Sequence, residues 1–160
     1  MLIIVEGPDG SGKSTLCKQL KDNGYNILRR VKSDKNFAYF EFKELQNSNQ
    51  VYVIDRAILT PWAYRLLDGG DLNPDDFRFL EAILLLNNSP IIYCNCPNSF
   101  EYSMRRGEDN ITDKKVSKDL RTIYDFIIKT LKLYNVSTIF EYDFEKQSVD
   151  DVIKFIKEVQ

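Results

Sequence analysis

A chain of 160 residues has the length of one domain, and a domain of that size buries ~70% of its unfolded surface. Its 22 basic and 24 acidic side chains are well mixed and leave a net charge of −2, which argues against a dedicated nucleic-acid binder. No apolar run approaches the ~20 residues needed to cross a bilayer, and the start lacks a basic n-region and a cleavage site, so a cytoplasmic, membrane-free protein is expected.

Residues 2–6, an apolar run closed by Glu6, read as the first strand. Gly7-Pro8-Asp9-Gly10-Ser11-Gly12-Lys13-Ser14-Thr15 follows directly and fits G-x-x-x-x-G-K-[ST], and a helix over 13–22 comes next. Strand, glycine-rich loop and helix start therefore fall in the order a phosphate-binding loop requires. Such a loop turns successive N–H groups into one concavity, and the helix start adds further N–H groups and the positive end of a dipole. Gly7, Asp9, Gly10, Ser11, Gly12, Lys13, Ser14 and Thr15 are the expected ATP-binding residues. Lys13 is expected to reach the β- and γ-phosphates, and the Ser14 hydroxyl to ligate Mg²⁺.

A short second strand is expected at 25–28, and a polar, aromatic helix at 33–46 with Ser33 as its N-cap. The fully apolar run 51–54 reads as a buried strand, and 57–67 as a helix with Pro61 in its first turn or at a kink. Pro74-Asp75-Asp76 opens a helix running to residue 86. Strand 90–94, a short helix 99–106 and a polar loop 107–112 follow. The helix over 113–134 carries Leu120, Ile123, Ile127, Leu131 and Tyr134 at helical spacing, and strand 137–142 and a capped helix 148–159 complete the chain. Five strands joined by helical crossovers predict an α/β fold of three layers: a five-stranded parallel sheet with helices on both faces, in one domain over 1–160. Ligands of such sheets sit beyond the carboxyl ends of the strands, where the phosphate loop, Asp55-Arg56 and the loop after Cys96 all fall. A carboxylate at 55 can hold Mg²⁺, and the Arg56 guanidinium presents a planar fork to phosphate.

The three cysteines, an odd number, fit a reducing compartment. Cys94 and Cys96 share one face of a strand, but without histidine or a second cysteine pair a zinc site lacks ligands, and both are expected to be small buried hydrophobes. With no histidine in the chain, acid–base work falls to Asp, Glu or Lys.

The chain resembles the thymidylate kinase family and, more widely, the P-loop nucleoside and deoxynucleoside kinases. Val5-Glu6-Gly7-Pro8-Asp9-Gly10-Ser11-Gly12-Lys13-Ser14-Thr15 is similar to the family's F-E-G-x-D-G-x-G-K-[ST]-T. Asp55-Arg56 followed by Ala63-Tyr64 is similar to its D-R-Y-x-x-S-x-x-A-Y-Q, and the segment from Pro97 through Arg105-Arg106 to Tyr124 to its lid and following helix. The resemblance implies that Asp9 meets the sugar 3′-hydroxyl of an acceptor nucleotide, Asp55 serves Mg²⁺ or the transferring phosphoryl, and Arg56 binds the acceptor phosphate. It implies that Tyr64 packs beside the acceptor's sugar and base, where its bulk disfavours a 2′-hydroxyl. One form of the family carries an arginine at the Gly10 position; in the other, lid arginines supply the charge, and this chain resembles the second, with Arg105 and Arg106 in a lid over about 105–114. The family is often dimeric, which implies a possible homodimer. Departures are also visible: Arg65 replaces the glutamine after Ala-Tyr, and Arg29-Arg30-Val31-Lys32 replaces T-R-E-P, keeping an arginine at Arg30 for the substrate. Phe37, Tyr39, Phe40 and Phe42 are candidates for stacking on a base.

The expected activity is ATP- and Mg²⁺-dependent phosphoryl transfer to a small nucleotide, a (deoxy)nucleoside monophosphate such as dTMP or a related pyrimidine. A phosphate monoester, with a second pKa near ~6, is already anionic and needs no general base. A nucleoside hydroxyl needs a carboxylate, which deoxynucleoside kinases place after the second strand, where this chain has Arg29-Arg30. The alternatives are a deoxynucleoside kinase, a kinase acting on modified bases or DNA ends through the basic cluster Arg29, Arg30, Lys32 and Lys35, and a nucleotide-binding regulatory module. The last is disfavoured by the lack of an N-K-x-D motif.

Overall fold

A computed structural model describes residues 1–29, 45–57, 59–72, 83, 86–87, 89–107 and 113–160. The elements in chain order are β1 (Leu2–Glu6), α1 (Lys13–Asp22), β2 (Asn26–Arg29), β3 (Tyr52–Asp55), α2 (Leu59–Leu67), β4 (Ile91–Cys94), α3 (Ser99–Arg105), α4 (Lys114–Leu133), β5 (Ile139–Tyr142) and α5 (Val149–Glu158). The helices expected at 33–46 and 74–86, the loop residues 108–112, and Arg30, Phe37, Tyr39, Phe40 and Phe42 lie outside the described residues or largely so.

The strands pair in the order β2-β3-β1-β4-β5, every pair parallel, so their carboxyl ends share one edge. β1 is central because all five of its residues are buried, which suits a strand covered on both faces. Alternation along β1 sends Leu2 and Ile4 into one core with α2 and α4, where Ile54, Ala63, Tyr93, Leu120, Tyr124, Ile127 and Leu131 pack. Ile3 and Val5 enter the opposite core with Leu16, Leu20, Val152 and Ile156 of α1 and α5. The result is the three-layer α/β arrangement expected from the sequence.

Local chemistry sets the helix starts. The Asp113 carboxylate accepts from the Lys115 amide at 2.6 Å and the Val116 amide at 3.3 Å, capping α4. Ser148 donates through its amide and hydroxyl to Asp151, at 2.8 and 3.0 Å, fixing the start of α5. One expectation is corrected: Tyr134 does not continue the buried stripe of α4. It is the C-cap residue and 72% exposed, because the helix ends at Leu133 and the chain turns through Asn135 at φ 49°.

Candidate active site

The loop between β1 and α1 is buried from Gly7 through Lys13, whereas Ser14 and Thr15 are exposed on the first turn of α1. Two of its glycines are needed for contact as well as for conformation. At Gly10 (φ +75°) an added Cβ would stand 1.8 Å from the Ser99 carbonyl oxygen, so α3 is seated directly on the loop. At Gly12 (φ +89°) a Cβ would come within 2.6 Å of the Phe144 ring, which lies after β5. Gly12 is also the N-cap of α1 and brings no side chain to satisfy the helix's first amides. The Lys13 ammonium is 3% exposed and folds back on its own loop, donating to the Gly7 carbonyl at 2.7 Å and the Pro8 carbonyl at 2.5 Å. Burial, and after it the neighbouring Arg56 charge, push this amine below its ordinary value of 10.5. A cation with such partners, beside an α1 start that no side chain caps, suits an oxyanion.

Across the sheet edge, β3 ends in Asp55, buried and paired in register with Val5. Arg56 follows with φ 66°, a left-handed conformation that costs a non-glycine residue ~1–3 kcal/mol and clusters at functional sites. That turn aims its guanidinium at Asp9, which it meets at 2.6 Å, while the other Asp9 oxygen accepts from the Tyr64 hydroxyl at 2.8 Å. Asp9, Arg56 and Tyr64, distant in sequence, thus form one cluster beside Lys13. Burial pushes the Asp9 carboxyl up, but Arg56, Lys13 and the Tyr64 hydroxyl outweigh it and hold the group below 3.8. A depressed folded-state pKa stabilises the protein above the unfolded value and is lost as pH falls through the folded value. The stability difference between the parent and Asp9→Asn, read from urea midpoints, is therefore expected to be full at pH 7 and to shrink below about pH 4.

Arg105 and Arg106 take different places. Arg106 reaches back to the loop, its guanidinium 3.4 Å from the Gly10 carbonyl oxygen. Arg105 lies over the Tyr102 ring, 5.7 Å from its centroid. Arg65 is exposed with its stem against Gly70, on a different side of α2 from the Tyr64–Asp9 contact. Two groups to which the sequence gave no role also shape the site. Arg121 of α4 donates to the Cys96 carbonyl at 3.1 Å and to Asn95 at 2.6 Å, anchoring α4 to the end of β4. Glu6, wholly buried at the end of β1, accepts from the first amides of α2.

Cys96, Asp143 and Glu145 come together near the loop, but each carboxylate has a protein partner. Asp143 pairs with Lys146 at 2.9 Å, and Glu145 accepts from Asn98 at 3.0 Å and Tyr102 at 2.9 Å. The cluster ties α3 to the segment after β5. Cys94 and Cys96 are buried, as the sequence suggested, and so is Cys17; burial pushes the Cys94 thiol up to about 12 and the Cys96 thiol up to about 11. All three thiols are expected to resist a disulfide reagent at pH 8 in the native protein and to react once it is unfolded in guanidinium.

The chain has the α/β fold of the P-loop nucleotide kinases. The YorR protein of Bacillus subtilis, solved in complex with phosphorylated GDP, superposes with a TM-score of 0.69 at 22% identity, covering 99% of this chain and 95% of that one. Deoxyadenosine kinase from M. mycoides with bound dATP gives a TM-score of 0.65 at 18% identity over 99% and 98% of the two chains. Thymidylate kinase from Candida albicans gives 0.60 at 16% identity over 99% and 89%. No protein-family model and no curated protein sequence matches the chain. None of the helices in the described residues is long and apolar enough to cross a membrane.

Proposed function

We propose that this protein is a phosphotransferase that moves the γ-phosphoryl group of ATP to a deoxynucleoside monophosphate, with a pyrimidine nucleotide such as dTMP as the favoured acceptor. The observation that carries the reading is the Asp9–Arg56–Tyr64 cluster lying against a phosphate loop whose lysine is buried. The bond between the γ-phosphorus and its bridging oxygen breaks, a bond to an acceptor phosphate oxygen forms, and ADP and a nucleoside diphosphate leave. Lys13 leaves the Gly7 and Pro8 carbonyls to meet the β- and γ-phosphates, and the loop amides from Asp9 to Thr15 line the rest of the triphosphate. Arg56 orients the acceptor phosphate, Asp9 accepts from the sugar 3′-hydroxyl, and Tyr64 packs beside the sugar; Arg30, outside the described residues, is a further substrate-binding candidate on the family resemblance alone.

The Ser14 hydroxyl and the Asp55 carboxylate are hard oxygen donors of the kind Mg²⁺ takes, at the helix start and the adjoining strand end. Held by these two residues, Mg²⁺ would supply neutralisation of the triphosphate's negative charge. A side chain at position 10 would collide with Ser99, which favours the lid arginines as the source of positive charge. Arg106 begins beside the loop, and Arg105 must leave Tyr102 to join it when a lid over about 105–114 closes and excludes water. One kinase domain over 1–160 accommodates all these parts.

The monophosphate is preferred to a nucleoside because neither Asp9 nor Glu6 suits a general base. Asp9 is held by Arg56 and Tyr64 below its ordinary pKa, and Glu6 accepts from three amides and a hydroxyl. The test is transfer of label from [γ-³²P]ATP across a panel of dNMPs, nucleosides and 5′-hydroxyl DNA. Labelled diphosphates are expected; label only in a nucleoside monophosphate would replace this reading with that of a deoxynucleoside kinase.

A further inference from the structure

We infer that Glu6 is a positioning residue for the acceptor side of this site: its buried carboxylate clamps the backbone that turns Arg56 toward Asp9 and the helix that carries Tyr64 there. The inference rests on the kinase reading above. Every other residue of β1 is aliphatic, and an aliphatic residue at position 6 would fill the same core. A fully buried carboxylate therefore calls for a reason.

Its contacts supply one. Alternation along β1 puts Glu6 on the face of Leu2 and Ile4, toward α2 and α4. Its Oε1 accepts from the amides of Ala57 at 2.7 Å, Leu59 at 3.0 Å and Thr60 at 3.4 Å, and its Oε2 accepts from the Thr60 hydroxyl at 2.7 Å. The next residue, Pro61, has no amide to satisfy, so this carboxylate serves the amides of Ala57, Leu59 and Thr60 at the start of α2 and meets the positive end of its dipole. The Thr60 hydroxyl lies 2.9 Å from the Tyr124 hydroxyl, which joins α4 to the same point.

The consequence for Arg56 is direct. Its own amide donates to the Val5 carbonyl at 3.0 Å, and the next amide, Ala57, donates to Glu6. Two consecutive residues of β1 thus hold both sides of the left-handed turn at φ 66°. With one of them released, the turn relaxes toward the ordinary region and the guanidinium swings off Asp9. Tyr64, one turn into α2, shifts with the helix it rides on. Lys13 feels Arg56 and Glu6 through charge, but its own hydrogen bonds run to the Gly7 and Pro8 carbonyls and to neither of them.

Glu6→Gln keeps the size and one acceptor oxygen but removes the charge. It is expected to raise the acceptor KM about tenfold and lower kcat, while ATP affinity by calorimetry stays within about twofold. On an Arg56→Ala background the same substitution is expected to add less than about twofold. A purely structural role would lower thermal stability and weaken both substrates together, or add its full effect in the double variant; either result overturns the proposal. If Glu6→Gln does not fold, Thr60→Val takes its place, with a few-fold rise in acceptor KM at unchanged ATP affinity expected and no change in either overturning it. Absence of transfer in the unsubstituted protein would overturn the kinase reading and this inference together; transfer without the acceptor-selective loss would overturn the role of Glu6 alone.

Discussion

Lys13→Ala is expected to reduce phosphoryl transfer by about a thousandfold or more, ~4 kcal/mol of transition-state stabilisation, while the protein stays folded. The loss follows from position: the ammonium is buried inside the loop, where it neutralises developing charge far better than a solvated amine does. Survival of the fold follows from its partners. The ammonium meets two loop carbonyls rather than a carboxylate, and removing a buried cation removes its desolvation cost as well. Lys13→Met, which keeps the volume, is expected to match or exceed the parent in thermal midpoint. Steady-state turnover and a melting curve on both variants check this; retained turnover would take Lys13 out of the reaction.

Arg56→Ala is the second large effect, with kcat/KM for the acceptor expected to fall about a hundred- to a thousandfold, or ~2.7–4 kcal/mol. The guanidinium is still 37% exposed while bound to Asp9, so an incoming phosphate can reach it. Its removal leaves the buried Asp9 carboxylate with Tyr64 but without its ion-pair partner, which raises the Asp9 pKa. The substitution also keeps a Cβ at a left-handed position, so Arg56→Gly is expected to be the more stable variant and just as inactive. Arg56→Lys restores charge without the planar fork and is expected to recover only part of the loss. Kinetics in the acceptor, set against unchanged ATP affinity, separate this effect from the one at Lys13.

Much of this frame was legible in the residues because its signals are local. β1 and α1 carry the bounds expected of them, since an apolar run, a glycine loop and a helix former meet without a gap. The third strand was expected to stop at residue 54, yet it runs through Asp55. A carboxylate after an apolar run looks like a loop residue, but the ladder to β1 continues to the Val5–Asp55 pair. Tyr134 fits the helical period of α4 and is nevertheless exposed, because periodicity does not say where the chain turns away. The meeting of Asp9 with Arg56 and Tyr64 follows from β1 and β3 being neighbours, and the family resemblance pointed to the same residues.

Glu6 was legible as the end of a strand and as the acid of the family's F-E-G motif, but its role was not. Its partners lie some fifty residues on, at Ala57, Leu59 and Thr60, and neither the motif nor an acid closing an otherwise aliphatic strand names them. Arg121 is similar: on a helix with many exposed cations, nothing nearby distinguishes the one that turns inward to Asn95. Long-range partners of buried polar groups are set by the packing of layers, which a one-dimensional pattern does not encode.

The claim beneath all of this is that the loop after β1 holds a nucleoside triphosphate. Calorimetric titration of ATP with Mg²⁺ into the protein tests it most directly: one binding event per chain is predicted, strongly weakened in Lys13→Ala. No heat of binding from either ATP or GTP would contradict it.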